Sequence, residues 1–356
     1  MKPLIKTVTL LSLFTILISC NEQGTNPNKT IKTPREMTWT ADTLTSPDPT
    51  GGQLMMENIL VFSTNDVWVC GWNDVARGLI WHYDGTKWRE SNIVEDTGGM
   101  RVNNIAGYSS SDLWSVGYSG QEIFLAHFDG QHWSRQNNMN IKGELLDMSK
   151  DPNGNLLACG RNGIIMKYDK TKWIAGTIKV NRFSDAGYFL SSVEFYKNKI
   201  HTISRVFDSK RGRDVYHYIT GEINNWTIVD SMIIDQPYSI FKWGQWRLFS
   251  SEFGKLYSVG QQGIWLYNNI DWNTLYTISG TTYGISGPRE DYLIAVGDFQ
   301  KVLFYNGSNW ENVANLFPQI DRNFVCRNVW TNGYETFIIG YGYINGSTKT
   351  IIFHGK

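Results

Sequence analysis

The side chains through which this chain could act on another molecule are arginines, aromatics and amides. Arg77, Arg101, Arg161 and Arg205 each offer a planar fork of donors that matches a carboxylate. Trp72, Tyr118, Tyr341 and Tyr343 add aromatic faces, and Gln262 and Asp298 add amide and carboxylate groups. Such a set binds polar ligands and does not by itself make or break bonds. Six histidines are scattered, but His82 and His127 fall at matching places in two copies of a repeat, which points to packing. No Cys-x-x-Cys or His-x-x-x-His spacing marks a metal site. No glycine-rich phosphate loop is present, and GISGP at 284–288 lacks the x-Ser-x-Gly geometry of a nucleophile elbow. No cofactor is expected.

The elements that must position these residues come from a repeat. HFDGQHW at 127–133 has relatives in HYDGTKW at 82–88, KYDKTKW at 167–173 and FYNGSNW at 304–310. Written out, each copy reads as strand, polar turn, strand ending in Gly, short loop, strand, Asp-Gly turn, and a strand led by Trp. The marker tryptophans are Trp88, Trp133, Trp173, Trp226, Trp272 and Trp310, spaced by 45, 40, 53, 46 and 38 residues. A four-stranded unit of about 40–50 residues is the size of a propeller blade. In NDVWVCG, Val67 and Val69 face one way and Trp68 and Cys70 the other, the period of a strand sandwiched between neighbours. Helical periodicity is absent after residue 36. The expected fold is an all-β, seven-bladed β-propeller of four-stranded blades over 36–356. Its last blade would be closed by the N-terminal strand EMTWTADTL at 36–44, with Trp39 in the marker place.

The pattern VG…G…YDG..W resembles the Asp-box, sialidase-type propellers and the photosystem II assembly-factor type of repeat. The match extends over nearly the whole chain after residue 36 and is specific for architecture, not activity. It departs from the Asp-box in having Asp84-Gly85 and Asp129-Gly130 adjacent, without the usual intervening residue. In the turn itself Asp accepts backbone N–H bonds and Gly allows a positive φ, so the motif reads as a structural joint. Binding is expected at the other end, on the loops joining strands two to three and four to one, where propellers carry their variable residues. Those loops hold Trp72, Arg77, Tyr118, Arg161, Arg205, Gln262, Asp298, Tyr341 and Tyr343.

The N-terminus reads separately. MKPLIK carries two lysines, and the apolar run Val8–Ser19 has 12 residues, too few for the about 20 that span a bilayer. LISC at 17–20 resembles the lipobox of bacterial lipoprotein signal peptides, which implies a signal peptide at 1–19 and acylation of Cys20. Residues 20–35 are polar and contain Pro27 and Pro34, the composition of a flexible tether. Asn21, in place of an Asp, makes the outer membrane the expected site.

Lys plus Arg and Asp plus Glu are both 33, which excludes a general nucleic-acid binder with a basic face. Cys70, Cys159 and Cys326 are left after Cys20, and Cys70 and Cys159 share one repeat position, so buried thiols are expected there. Two functions remain open. One is a membrane-anchored, non-catalytic module of the cell envelope that binds a protein or glycan as a monomeric domain. The other, implied by the Asp-box resemblance, is a sialidase-like glycan hydrolase. In such enzymes three arginines converge on a carboxylate beside a Tyr–Glu pair and an Asp.

Overall fold

The computed structural model describes residues 30–46, 52–75, 77–91, 99–136, 141–180, 188–235, 240–318, 320 and 323–356. The expected signal segment and Cys20 lie outside the described residues. Of the segment read as a tether, residues 30–35 are described. There Lys32 donates its backbone N–H to the Gly333 carbonyl, and Arg35 pairs with Glu311.

Among the described residues the regular elements are all strands, apart from one 3-10 turn at Ala314–Leu316. An edge strand, β1 (Trp39–Leu44), comes first. Four hairpin-linked groups follow: β2 (Leu54–Ser63), β3 (Asp66–Asn73), β4 (Gly78–Tyr83) and β5 (Trp88–Glu90); β6 (Met100–Ser109), β7 (Asp112–Ser119), β8 (Glu122–Phe128) and β9 (Trp133–Arg135); β10 (Leu145–Lys150), β11 (Leu156–Gly160), β12 (Ile164–Tyr168) and β13 (Trp173–Thr177); β14 (Tyr188–Tyr196), β15 (Lys199–Asp208), β16 (Arg213–Glu222) and β17 (Asn225–Ile234). Next come β18 (Arg247–Ser250), β19 (Leu256–Tyr267), β20 (Trp272–Arg289), β21 (Tyr292–Gly297), β22 (Lys301–Tyr305) and β23 (Trp310–Asn312). The chain ends with β24 (Val325–Thr331), β25 (Thr336–Ile344) and β26 (Ser347–Gly355).

The expected seven four-stranded blades are corrected by the pairing. Among the described residues the strands form six sheets, five of four strands and one of six. The difference lies in β20, an unbroken strand of 18 residues. Its first part pairs with β19, from Trp272 opposite Tyr267 to Thr281 opposite Gln261, and its last part pairs with β21, from Thr282 opposite Gly297 to Arg289 opposite Tyr292. A loop was expected between those parts. The segment has no proline before Pro288 and is rich in Thr and Ile, which favour extended backbone, so the ladder runs on. The seven-blade count, and the completion of a seventh blade by the N-terminal strand that went with it, are replaced by six sheets. In one of these β1 pairs with β26, Trp39 opposite Gly355 and Leu44 opposite Thr350.

The core lies between sheets. Val67 and Val69 of β3 pack into a cluster with Leu54, Phe337 and Ile352, while Trp68 and Cys70 pack into another with Val102, Leu113 and Phe124. Each such side chain, wholly removed from water, stabilises by roughly 1.5–3 kcal/mol. The innermost strands are β2, β6, β10, β14, β18, the last part of β20, and β24, each beside the next, with β24 beside β2. The Asp-Gly motif joins third to fourth strands, as its spacing implied. Asp129 accepts the N–H groups of Gln131 and His132, both at 2.8 Å, and Gly130 takes φ 94°. The histidines belong to the same packing: His82 bonds Asp66 at 2.9 Å and stacks on Trp68, and His127 bonds Asp112 at 2.8 Å.

Candidate functional site

Six of the innermost strands carry a β-bulge near the start of the strand. The register slips between Met56 and Asn58, Val102 and Asn104, Leu145 and Asp147, Leu190 and Ser192, Thr282 and Gly284, and Cys326 and Asn328. A bulge leaves one residue unpaired and re-aims its side chain. Here the six released residues are Glu57, Asn103, Leu146, Ser191, Tyr283 and Arg327, and all of them line one cavity of about 500 Å³. At five of the six bulges the repeated Gly near the end of the next strand makes room for the slip. Gly117 stands opposite Val102, and a methyl group there would sit 1.9 Å from the Arg101 carbonyl oxygen. Gly71 and Gly160 face the same obstacle at 2.1 and 1.9 Å. The motif residue read as a strand ending thus holds the cavity wall open.

Beneath the bulges a ring of polar contacts joins strand to strand. Asn328 donates to the Asn58 side chain at 3.0 Å, and Asn58 donates to the Asn103 carbonyl. Asn104 donates to Asp147 at 2.6 Å, and Asp147 also accepts from the Ser192 hydroxyl at 2.7 Å and the Val193 N–H at 3.0 Å. Arg247, on β18, reaches Asn58, on β2, at 2.7 Å, so a guanidinium crosses the centre and floors the cavity. Burial pushes Arg247 down from its ordinary value, against the pull of Asp147, Glu57 and Glu194. Nearby Glu194 is pushed well above the usual carboxylate range by burial and by Asp147.

The wall carries matched charges and aromatic rings. Arg161 donates to Glu144 at 2.6 Å, and Arg205 holds Asp214 with two arms, both at 2.8 Å. Arg327 lies 3.4 Å from Glu57 and under the faces of Tyr283, at 4.3 Å, and Trp246, at 5.1 Å. Burial opposes its charge, but Glu57, Tyr341 and Tyr283 outweigh that and raise it. The Arg101 guanidinium lies over Trp72, 4.1 Å from the ring centroid.

Of the residues expected from sequence, Trp72, Arg161 and Arg205 line this cavity, together with Arg101. Tyr341 stands behind Arg327, 5.9 Å from its guanidinium. Arg77, Tyr118, Gln262, Asp298 and Tyr343 are not among the lining residues. Asp298 instead accepts the Thr281 N–H at 2.9 Å, and Tyr343 is exposed to solvent. The sequence reading missed Glu57, Glu144, Asp214, Trp246, Tyr283, Arg247 and Arg327. Most of them sit on inner strands, and their signal is register: five of the six bulges stand opposite a Gly of the next strand, and the one at Ser191 stands opposite Ser204. Among the described residues no group of three or more His, Cys, Asp or Glu could hold a metal ion. Nor is any described helix long and apolar enough to cross a membrane.

No protein-family model matches the chain, and a search of curated proteins returned no match. Solved structures do match. YCF48 bound to D1 peptide aligns at 15% identity and TM-score 0.59, over 89% of this chain and 94% of that one. YCF48 from Cyanidioschyzon merolae aligns at 14% identity and TM-score 0.57, over 88% and 98%. The extracellular domain of the one-component system BT4673 from B. thetaiotaomicron aligns at 8% identity and TM-score 0.59, over 88% of this chain and 40% of that one. At these identities the likeness is one of fold, and the fold is a β-propeller.

Proposed function

We propose that this chain is a non-catalytic binding module whose ligand, a protein or glycan of the cell envelope, enters the cavity floored by Arg247. The observation that carries this is the convergence of six bulge residues on one polar depression. Packing alone does not call for a bulge at the same place in six strands, and bulges gather where a side chain must be aimed. YCF48, of similar fold, has been solved with a peptide bound, which supports a ligand-holding role for this architecture. The reading includes a lipid on Cys20 that tethers a monomeric domain to the outer membrane. Labelling with a fatty-acid analogue, lost in Cys20→Ser, tests the anchor, and protease treatment of intact cells tests the side it faces. Capture of an envelope component by the full chain, and its loss in Arg205→Ala, tests the binding role. Unchanged capture would place the ligand elsewhere.

One observation favours the hydrolase alternative: Arg101, Arg161 and Arg205 do line one cavity. The chemistry runs against it. Arg161 and Arg205 are already held by carboxylates. The phenol of Tyr341, which faces Glu57, is pushed up to about 12, chiefly by burial, so it keeps its proton. Release of fluorophore from a fluorogenic sialoside by the full chain would reverse this preference.

A further inference from the structure

We infer that the ligand of this depression is a short saccharide, neutral or with a single acidic group, stacked on Trp246; this rests on the binding-module reading above. The first argument is charge. Five arginines and four carboxylates line the cavity. Glu144 and Asp214 are held at 2.6 and 2.8 Å, Glu57 has Arg327 at 3.4 Å, and Arg247 is turned to Asn58. An acidic peptide would bring its carboxylates beside Glu57, Glu144 and Asp214, and a basic one would meet the guanidinium groups. Either must break existing pairs or lie against like charge. A hydroxyl meets neither obstacle, because it donates and accepts at once. It can accept from an outer N–H of an arginine and donate to the carboxylate of the same pair.

Those carboxylates remain reachable: the side chains of Glu57, Glu144 and Asp214 keep 25, 11 and 20% of their surface exposed. Arg101 is the exception. Among the described residues it has no carboxylate within ion-pair range, and it lies on Trp72. It leaves a place for one acidic group on the ligand.

The second argument is the aromatic platform. Trp246 is 39% exposed although it lines the cavity. Its ring meets Tyr283 edge-on, with centroids 5.0 Å apart and planes at 80°, and Arg327 lies 5.1 Å from its centroid over one face, so its orientation is set by neighbours and the opposite face is the one a sugar would meet. A sugar presents hydroxyls at its rim and an apolar C–H face, and it can satisfy this ring and the paired charges together. The volume of about 500 Å³ lies in the range of small-ligand sites.

The test is a glycan array probed with the full chain, followed by titration of any hit against the intrinsic tryptophan fluorescence. Acidic peptides are titrated in parallel. The expected result is saturable binding of a neutral or singly acidic oligosaccharide, weakened at least about tenfold by Trp246→Ala, with the melting temperature kept. Asp214→Asn, which leaves the ring in place, should weaken the same sugar while sparing the fold. Binding of acidic peptides but no saccharide, lost in Trp246→Ala, overturns the saccharide and keeps the binding module. Saccharide binding unchanged in both variants overturns the placement. Neither class bound overturns this inference and withdraws support from the binding role.

Discussion

Asn58 concentrates the polar logic of the site in one side chain. Its oxygen accepts from Arg247 and Asn328, and its amide donates to Asn103. Removing it in Asn58→Ala leaves a buried guanidinium short of an acceptor, a loss of about 2–3 kcal/mol. Urea denaturation should place the midpoint correspondingly lower. His201 makes a second prediction. Burial lowers it to about 4, below the ordinary 6.5, and it bonds Tyr218 at 2.6 Å. The folded state keeps it neutral while the unfolded chain takes a proton below pH 6.5. Stability is therefore intact above that pH and falls as pH drops toward 4, by up to about 3 kcal/mol. Denaturation at pH 7.5 and 4.5 measures the fall, and His201→Asn should make it smaller. Single residues were legible in sequence where they fell near the ends of second strands of the repeat, as Trp72, Arg161 and Arg205 did, although Trp72 and Arg205 lie within β3 and β15 and not in the loops expected. Their partners were not. Asp214 meets Arg205 only across the β15–β16 hairpin, and Glu144, just before β10, meets Arg161, just after β11, so both depend on register.

At the scale of the strand, the recurring Gly is the clearest case of a signal read for less than it does. Its spacing marked where second strands end. That it faces a bulge emerges only when the partner strand is laid beside it. In Gly117→Ala the new methyl group meets the Arg101 carbonyl oxygen at 1.9 Å, so the two strands must part. A cost of about 1–3 kcal/mol is expected by thermal denaturation. Arg101 and Asn103 should move with the strand, so ligand binding should weaken beyond what lost stability explains. The Trp spacing, by contrast, was legible at five of its six markers, with Trp226 standing second in β17. Trp88, Trp133, Trp173, Trp272 and Trp310 each begin an outer strand, because a large ring there seals one sheet against the next. What spacing did not reveal was whether a loop interrupts the chain after Trp272.

Over the whole molecule, the core is a set of clusters between sheets, and the free thiols report on it. Cys70, Cys159 and Cys326 are buried, and burial pushes each thiol up. A buried neutral thiol does not attack a disulfide reagent. In a Cys20→Ser chain no thiol should react under native conditions. All three should react together on unfolding, within the same denaturant range as the loss of tryptophan signal. Reaction of one thiol well before the others would mean that its cluster opens alone.

The uninterrupted β20 bears on how such a chain can be cut and rejoined. Repeat proteins are readily permuted, trimmed or extended where an irregular link separates one unit from the next. New termini at 45–46, between β1 and β2, or at 240–244, between β17 and β18, would fall in such links. Termini between Thr281 and Thr282 would sever a continuous strand whose two parts belong to different ladders, β19 on one side and β21 on the other. Permutants opened at the former places should express as folded protein, and one opened at the latter should not, by yield and circular dichroism. Among the described residues the stretch from β18 to β23 is the one in which two ladders share a strand, so it should move as one piece when repeats are swapped or engineered.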